Sequence, residues 1–249
     1  RMLLMIIGIS GRKQSGKNTV ANIINGEILK ERQLVDDYRI NKSGQLVIKT
    51  KDMNHALGWG ILDVTRKDEV FSEYADKEIW PYVKIYHFAD YLKSIAINLF
   101  GLSHDKVYGD DNDKNTTTPF TWSQMPTNKR KRGKLTVRDF LQYFGTELVR
   151  KIKDDAWVSS TLDIINKEGS ELSLVPDVRF PNEVLAIKEQ GGIVIRLTRD
   201  VYNDKHQCET SLDQENFDWN NFSYIIDNQD CSVEKLQNEI QNFMRSIKC

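Results

Sequence analysis

The chain has 249 residues, with 35 Lys and Arg against 36 Asp and Glu, a formal net charge of -1, 39% hydrophobic residues and 29% charged ones. That length can bury a substantial core in one large domain or two small ones. The near-zero charge argues against a protein that coats nucleic acid, which needs a surplus of Lys and Arg. No apolar run approaches the ~20 residues of a membrane helix. Met2–Ile9 is apolar but short, and it leads into Gly11 and Lys13 rather than a small-residue cleavage site, so it does not read as a secretory signal. Cys208, Cys231 and Cys249 lack metal-ligand spacing and are odd in number, which suggests reduced thiols in a cytoplasmic protein.

In chain order, Met2–Ser10 is a continuous aliphatic run, the pattern of a strand buried on both faces of a parallel sheet. From Lys17 the period changes: Val20, Ile23, Ile24 and Ile28 form one stripe of a helix reaching about Glu31. Residues 32–81 read as an insertion on the edge of the main domain, with a hairpin around Ser43-Gly44 and an acidic helix over Asp68–Glu78. Val83–Phe88 is a second strand, followed by a helix carrying Leu92, Ile95, Ala96 and Leu99. Gly109–Thr118 (GDDNDKNTTT) is apolar-free and loop-like, and Lys129–Lys134 (KRKRGK) is a basic run. The longest helical stripe is Val137, Phe140, Leu141, Phe144, Leu148 and Ile152. A third strand, Leu172–Val175, ends at Pro176-Asp177; a helix over Asn182–Gln190 stops at Gly191-Gly192; strands Ile193–Leu197 and Tyr224–Ile226 follow. The closing helix carries Val233, Leu236, Ile240, Phe243, Met244 and Ile247 behind a Ser232 N-cap. Strands alternating with helices predict an α/β fold with an open parallel sheet covered by helices.

Gly11-Arg12-Lys13-Gln14-Ser15-Gly16-Lys17-Asn18-Thr19 nearly matches G-x-x-x-x-G-K-[ST] between that first strand and first helix. The glycines let successive backbone N–H groups turn inward as an anion nest, and the helix directs its positive end at the same point. Gly11, Lys13, Ser15 and Gly16 would shape the nest, and Lys17 would bring a mobile charge to the β- and γ-phosphates of ATP. Asn18 stands where a hydroxyl normally meets magnesium, and the hydroxyl comes one residue later at Thr19. An amide is a poorer Mg2+ ligand than a hydroxyl or carboxylate. Either Thr19 takes the role, or the metal leans on the nucleotide and on a carboxylate elsewhere.

With this loop in place, the chain resembles the phage-type deoxynucleoside monophosphate kinases and, more distantly, animal phosphomevalonate kinases. The resemblance rests on GRKQSGK, on Phe88-Ala89-Asp90-Tyr91-Leu92-Lys93, and on Val137-Arg138 through Gln142, Gly145, Thr146 and Glu147. It also rests on Asp155-Ala156-Trp157-Val158, on Val175-Pro176-Asp177-Val178-Arg179, and on a tail with His206, Glu209, Leu212 and Ile226-Asp227-Asn228. It implies a single P-loop kinase domain over residues 1–249 with an acceptor-side or lid region at 109–136, an ATP- and Mg2+-dependent phosphotransferase, a deoxynucleoside monophosphate acceptor, a cytoplasmic site in a phage-infected host, and a homodimer. Those families commonly carry Asp where this chain has Asn18. His206 and Glu209 match, but no role follows from the residues.

Phosphoryl transfer brings two anions together and demands several cations from different parts of a chain. Lys13, Lys17, Lys93, Arg138, Arg150 and Arg179 are the candidates. The face with Arg138, Gln142, Gly145 and Thr146 would meet the acceptor, Arg138 on its phosphate and Gln142 on base or sugar; a solvated helix face is the plain alternative. Trp157 would stack on the base or belong to the core. Asp177 would orient the magnesium waters and Arg179 would bridge the transferring group, unless the two merely cap the strand. Arg199 would flank the adenine or lie on the surface. Lys129–Lys134 is a solvated basic loop or a lid closing with Arg130 and Arg132. The competing activities are a kinase of another small phosphate, such as phosphomevalonate, and a nucleotide-gated DNA-associated ATPase. The segment VPDVR offers no adjacent carboxylate to activate water, which weighs against the ATPase.

Overall fold

A computed structural model describes residues 5–51, 57–64, 69–126, 131–201 and 207–247. In chain order it contains β1 (Met5–Ser10), α1 (Lys17–Glu31), β2 (Asp37–Ile40), β3 (Leu46–Lys51), β4 (Leu57–Ile61), α2 (Glu69–Glu78), β5 (Val83–Ile85), α3 (Asp90–Asn98), α4 (His104–Tyr108), α5 (Asp111–Lys114), β6 (Thr117–Thr121), β7 (Lys134–Thr136) and α6 (Val137–Gln142). A π-helical stretch, Tyr143–Val149, leads from α6 into α7 (Arg150–Ile152). Then come α8 (Ala156–Glu168), β8 (Leu172–Val178), α9 (Pro181–Glu189), β9 (Ile193–Leu197), α10 (Gln207–Thr210), β10 (Tyr224–Ile226) and α11 (Val233–Ile247). The chain divides into two compact units, Arg1–His87 with Ile164–Cys249, and Phe88–Asp163.

The first unit is built on a five-stranded sheet, order β10-β9-β1-β8-β5, whose pairings are all parallel. Its strands are apolar throughout because both faces are covered. Ile7, Ile9, Leu174 and Ile195 pack with Val20 and Ile24 of α1 and with Ile240 and Phe243 of α11. On the other face Gly8 leaves room for α9: a Cβ there would lie 2.7 Å from Ile187 Cδ1. The backbone N–H of Lys235 donates to Ser232 Oγ at 3.2 Å, the expected cap of α11.

Two strand boundaries differ from the periodicity. β8 runs on through Pro176 and Asp177 to Val178, with the β1 register shifting between Gly8 and Ser10. β5 stops at Ile85 instead of Phe88; Tyr86 N donates to Leu174 O at 2.8 Å, and Pro176, the next residue in line, has no N–H with which to continue the ladder.

The predicted hairpin is present: β2 and β3 pair antiparallel around Gly44, at φ 77°, and β4 adds a third strand. The segment is less peripheral than an edge insertion, because Tyr38, Leu46, Phe71, Ala75 and Ile79 join the same core as α1 and the sheet. Tyr38 lies flat against Gly26 in α1, where an added Cβ would run into its ring.

In the second unit, Ala96, Leu102, Trp122, Leu135, Phe140 and Tyr143 form a core of their own, with Phe100 edge-on to Phe120, Phe140 and Phe144. Three expectations change here. Leu99 falls at the C-cap of α3 and is 74% exposed, so it leaves the apolar stripe. The polar run from Gly109 is not all loop: Asp110 accepts from the N–H groups of Asn112 and Asp113, at 2.7 and 3.0 Å, and this capping box starts α5 without any apolar residue. The long stripe after Val137 does not hold α-helical phase, because the π turn shifts it and leaves Ile152 86% exposed.

Gly26→Ala tests the Tyr38 contact. Alanine in a helix interior normally gains about 1 kcal/mol over glycine. Here overpacking against a rigid ring should reverse the sign and cost about 1–3 kcal/mol in urea unfolding; a net gain would show that Tyr38 does not occupy that position.

Candidate functional site

The segment between β1 and α1 holds two residues in left-handed conformation, Gln14 at φ 56° and Gly16 at φ 98°. A backbone that alternates in this way turns its N–H groups to one side. Gly11 meets the folded-back loop so closely that a Cβ there would strike Ser15 Oγ, and Ser15 N donates to Arg12 O at 3.1 Å. Lys17, 8% exposed, donates from Nζ to the carbonyls of Gly11 at 2.8 Å and Arg12 at 2.6 Å. Burial, reinforced by the nearby Arg179 and Arg196 and opposed by Glu209 and Asp177, pushes its ammonium down to about 7.

Around this loop stand groups from the far end of the chain. Lys13 N donates to Glu209 Oε2 at 2.6 Å, and the Arg179 guanidinium donates to Oε1 of the same carboxylate. Arg179 follows β8 directly, and its backbone N–H, with that of Phe180, is held by the buried Glu183 at 2.6 and 3.0 Å. Arg12 pairs with Asp213 at 2.6 Å and with Asp200 at 3.3 Å. Arg196, buried in β9, donates to Ser10 Oγ at 2.9 Å and reaches Asp213 at 3.4 Å, its guanidinium lying 5.2 Å from the Trp219 ring centroid. Asn228 donates to Ser15 O at 2.7 Å and accepts from Arg199 N at 3.0 Å. Arg199 is itself exposed.

The structure thus brings together Gly11, Lys13, Ser15, Gly16, Lys17, Asp177 and Arg179. Asn18 is exposed and lines a cavity of about 150 Å³ with Asn22, Gln45, Leu46, His87 and Pro176. Thr19 turns toward the hairpin: a Cβ on Gly44 would meet its hydroxyl. Among the described residues no cluster of three or more His, Cys, Asp or Glu could hold a metal alone. Mg2+ is usually bound through one or two carboxylates and the substrate's phosphates. The Asp177 carboxylate and the Asn18 amide suit that kind of partial site.

Within the second unit, Arg138 donates to Asp111 at 2.5 Å and to Asn115 at 3.2 Å. Lys93 sits 3.9 Å from Asp90, with its ammonium 4.5 Å from the Tyr108 ring centroid. Lys114 belongs with them: burial first, then the charges of Lys93 and Arg138, push its ammonium below the usual lysine range. Gln142, Thr146 and Arg150 are half-buried along the helix and its π turn. Gly145 lies where a Cβ would be 2.7 Å from Leu92 Cδ2, and its carbonyl accepts the indole N–H of Trp157 at 3.1 Å. Trp157 is 8% exposed, so it sits in the core rather than on a surface. Arg132 is exposed; Arg130 and His206 lie outside the described residues.

Sequence reading missed Arg12, Arg196, Asp213 and Lys114, and left Glu209 without a role. Lys114 could have been found from Asp110 and Asp113, which carry the capping-box pattern. The others meet through pairings between separate elements, from 17 positions apart for Arg196 and Asp213 to 201 for Arg12 and Asp213, which no local pattern carries.

A lysine whose ammonium is pushed down to about 7 by burial would take up a proton on meeting a polyphosphate. Calorimetry with pyrophosphate at pH 8, in buffers of different ionisation enthalpy, should therefore show uptake of close to one proton per site, lost in Lys17→Ala. Binding with no buffer dependence would show that Lys17 is already charged.

A sequence model of the deoxynucleotide monophosphate kinase family matches residues 5–240. A protein of Acanthamoeba polyphaga mimivirus named for the same activity is 30% identical over 142 residues, a stretch that covers 50% of this chain and 66% of that relative, slightly under two thirds of its length. With the nest, its buried lysine and the carboxylate–arginine frame in place, and a family match running nearly end to end, this chain belongs to the deoxynucleotide monophosphate kinase family.

Proposed function

We propose that the chain transfers the γ-phosphoryl group of ATP to a deoxynucleoside monophosphate, giving ADP and the deoxynucleoside diphosphate used in DNA precursor synthesis. The observation that carries this reading is that the loop leading to Lys17 and the residue Arg179 follow the carboxyl ends of adjacent strands β1 and β8, in a chain whose family is named for that activity. Ligands of open α/β sheets bind outside the carboxyl ends of the strands.

A phosphate oxygen of the acceptor attacks the γ-phosphorus while the bond to the bridging oxygen of ADP breaks. Little covalent chemistry is asked of the protein, so positioning and neutralisation dominate. The loop between Gly11 and Lys17 cradles the β- and γ-phosphates, and Lys17 gains its proton as they arrive. Arg179 reaches the transferring group, whose charge is greatest in the transition state. Asp177 and Asn18 would hold a magnesium ion, which would supply positive charge to neutralise the phosphate oxygens. Arg199 borders the adenine.

On the acceptor side, Arg138, Lys93 and Lys114 receive the monophosphate, with Gln142 on base or sugar and Thr146 and Arg150 beside it. Trp157 then acts by supporting the π turn through Gly145. Arg132 supplies a further cation for the phosphates. No helix of the described residues is long and apolar enough to cross a membrane; the reading is of a cytoplasmic enzyme that works on small molecules, as a homodimer.

A panel of ribo- and deoxyribonucleoside monophosphates with ATP and Mg2+, followed for diphosphate product, tests the assignment. Lys17→Ala should lower kcat by roughly 10²–10³-fold with the fold intact; full activity in a folded variant would remove the loop from the mechanism. Arg138→Ala loses a charge-assisted contact of about 1.5–3 kcal/mol and should raise KM for the monophosphate roughly 10–100-fold. A change confined to the ATP dependence would show that this helix does not meet the acceptor.

A further inference from the structure

Glu209 is a buried carboxylate that touches both the loop and Arg179. Its side chain is 5% exposed. Oε2 takes the Lys13 N–H at 2.6 Å and Oε1 takes the Arg179 guanidinium. Arg179 is thereby held at two points: its backbone by Glu183 at 2.6 Å, its guanidinium by Glu209.

A buried carboxylate beside a polyphosphate site is costly unless its hydrogen bonds return the energy. Two charge-assisted bonds do so here, and both partners are groups a phosphoryl-transfer site needs fixed. Arginine presents five donors in a rigid plane, so anchoring one edge on a carboxylate aims the remaining donors. The same carboxylate ties that plane to the loop, setting the separation between the N–H nest and the guanidinium. A bare structural ion pair would not need the second bond to the loop.

We infer that Glu209 is a positioning residue for phosphoryl transfer, anchored to the loop by the Lys13 N–H and holding the Arg179 guanidinium in the arrangement that receives the transferring group. This rests on the kinase reading above. Glu209 does not touch substrate; it acts through Arg179.

The test is a double-mutant cycle on the full chain, with ATP, Mg2+ and the preferred monophosphate. Glu209→Gln keeps an oxygen for Lys13 N–H and loses the ionic hold on Arg179. It should lower kcat about 10²-fold, as a misplaced group does, with KM for both substrates within about threefold of wild type. In an Arg179→Ala background it should lower kcat by less than threefold more, because residues acting as one unit are not additive. Glu209→Asp, which keeps the charge on a shorter reach, should recover part of the lost kcat, and it serves as the variant in the cycle if Glu209→Gln does not fold. Additive losses, unchanged kcat in Glu209→Gln, or a change confined to KM for ATP would each overturn the proposal. A wild-type chain that makes no diphosphate would remove the kinase reading and this proposal with it, an outcome distinct from failure of the cycle.

Discussion

An ammonium buried against two carbonyls of its own loop is the interaction on which the rest of this site depends. Lys17 donates to Gly11 and Arg12, so the group proposed to serve a phosphate also ties the loop to itself. Burying a cation there is unfavourable, as the lowered affinity of Lys17 for its proton shows. The same displacement makes the site responsive. Any polyanion that enters supplies the opposite charge that burial withholds, and an exposed lysine, already charged, would gain less from the encounter.

A loop carrying such an internal conflict has to be held from outside. Asn228 holds the Ser15 carbonyl, Glu209 the Lys13 N–H, and Asp213 the Arg12 guanidinium. All three come from beyond β9, the last quarter of the chain. Arg196 explains why that region can reach so far in: it places a guanidinium inside the parallel sheet, hydrogen-bonded to Ser10 at the end of β1 and paired with Asp213. The C-terminal segment is therefore part of the phosphate site as much as of the fold.

What could be read from the chain alone divides along the same line. β1, α1, β9, β10 and α11 were legible because their apolar spacing is local and unbroken. The loop was legible because its glycines and lysine carry a fixed spacing. The π turn at Tyr143–Val149 was not, since apolar residues at α-helical spacing say nothing of a local widening imposed by packing on Gly145. Nor was the end of β5, fixed by a proline on its neighbouring strand. Residues 32–81 were opaque for another reason: Tyr38 and Phe71 read as scattered aromatics until α1, with Gly26 as the opening, supplies the surface they cover. The carboxylates were hardest of all, because an isolated Glu or Asp looks like any solvated one until its partner arrives from elsewhere in the chain.

That pairing also explains why composition concealed an anion site. A formal net charge of -1 excludes a surface that coats nucleic acid but leaves local charge undetermined. Around the loop, Arg12, Lys17, Arg179 and Arg196 face Asp177, Asp200, Glu209 and Asp213; in the second unit Arg138 is matched by Asp111 and Lys93 by Asp90. Pairing with carboxylates offsets part of the repulsion among these cations, and their side chains are already ordered when an anion comes. The incoming phosphate then has to compete with carboxylates rather than with water alone. It can do so because it offers more oxygens than a carboxylate and can engage the loop and the guanidinium together. Discrimination against lesser anions follows from the same competition: a ligand with too little charge, or too few oxygens to engage the nest and the guanidinium together, leaves the internal pairs where they are.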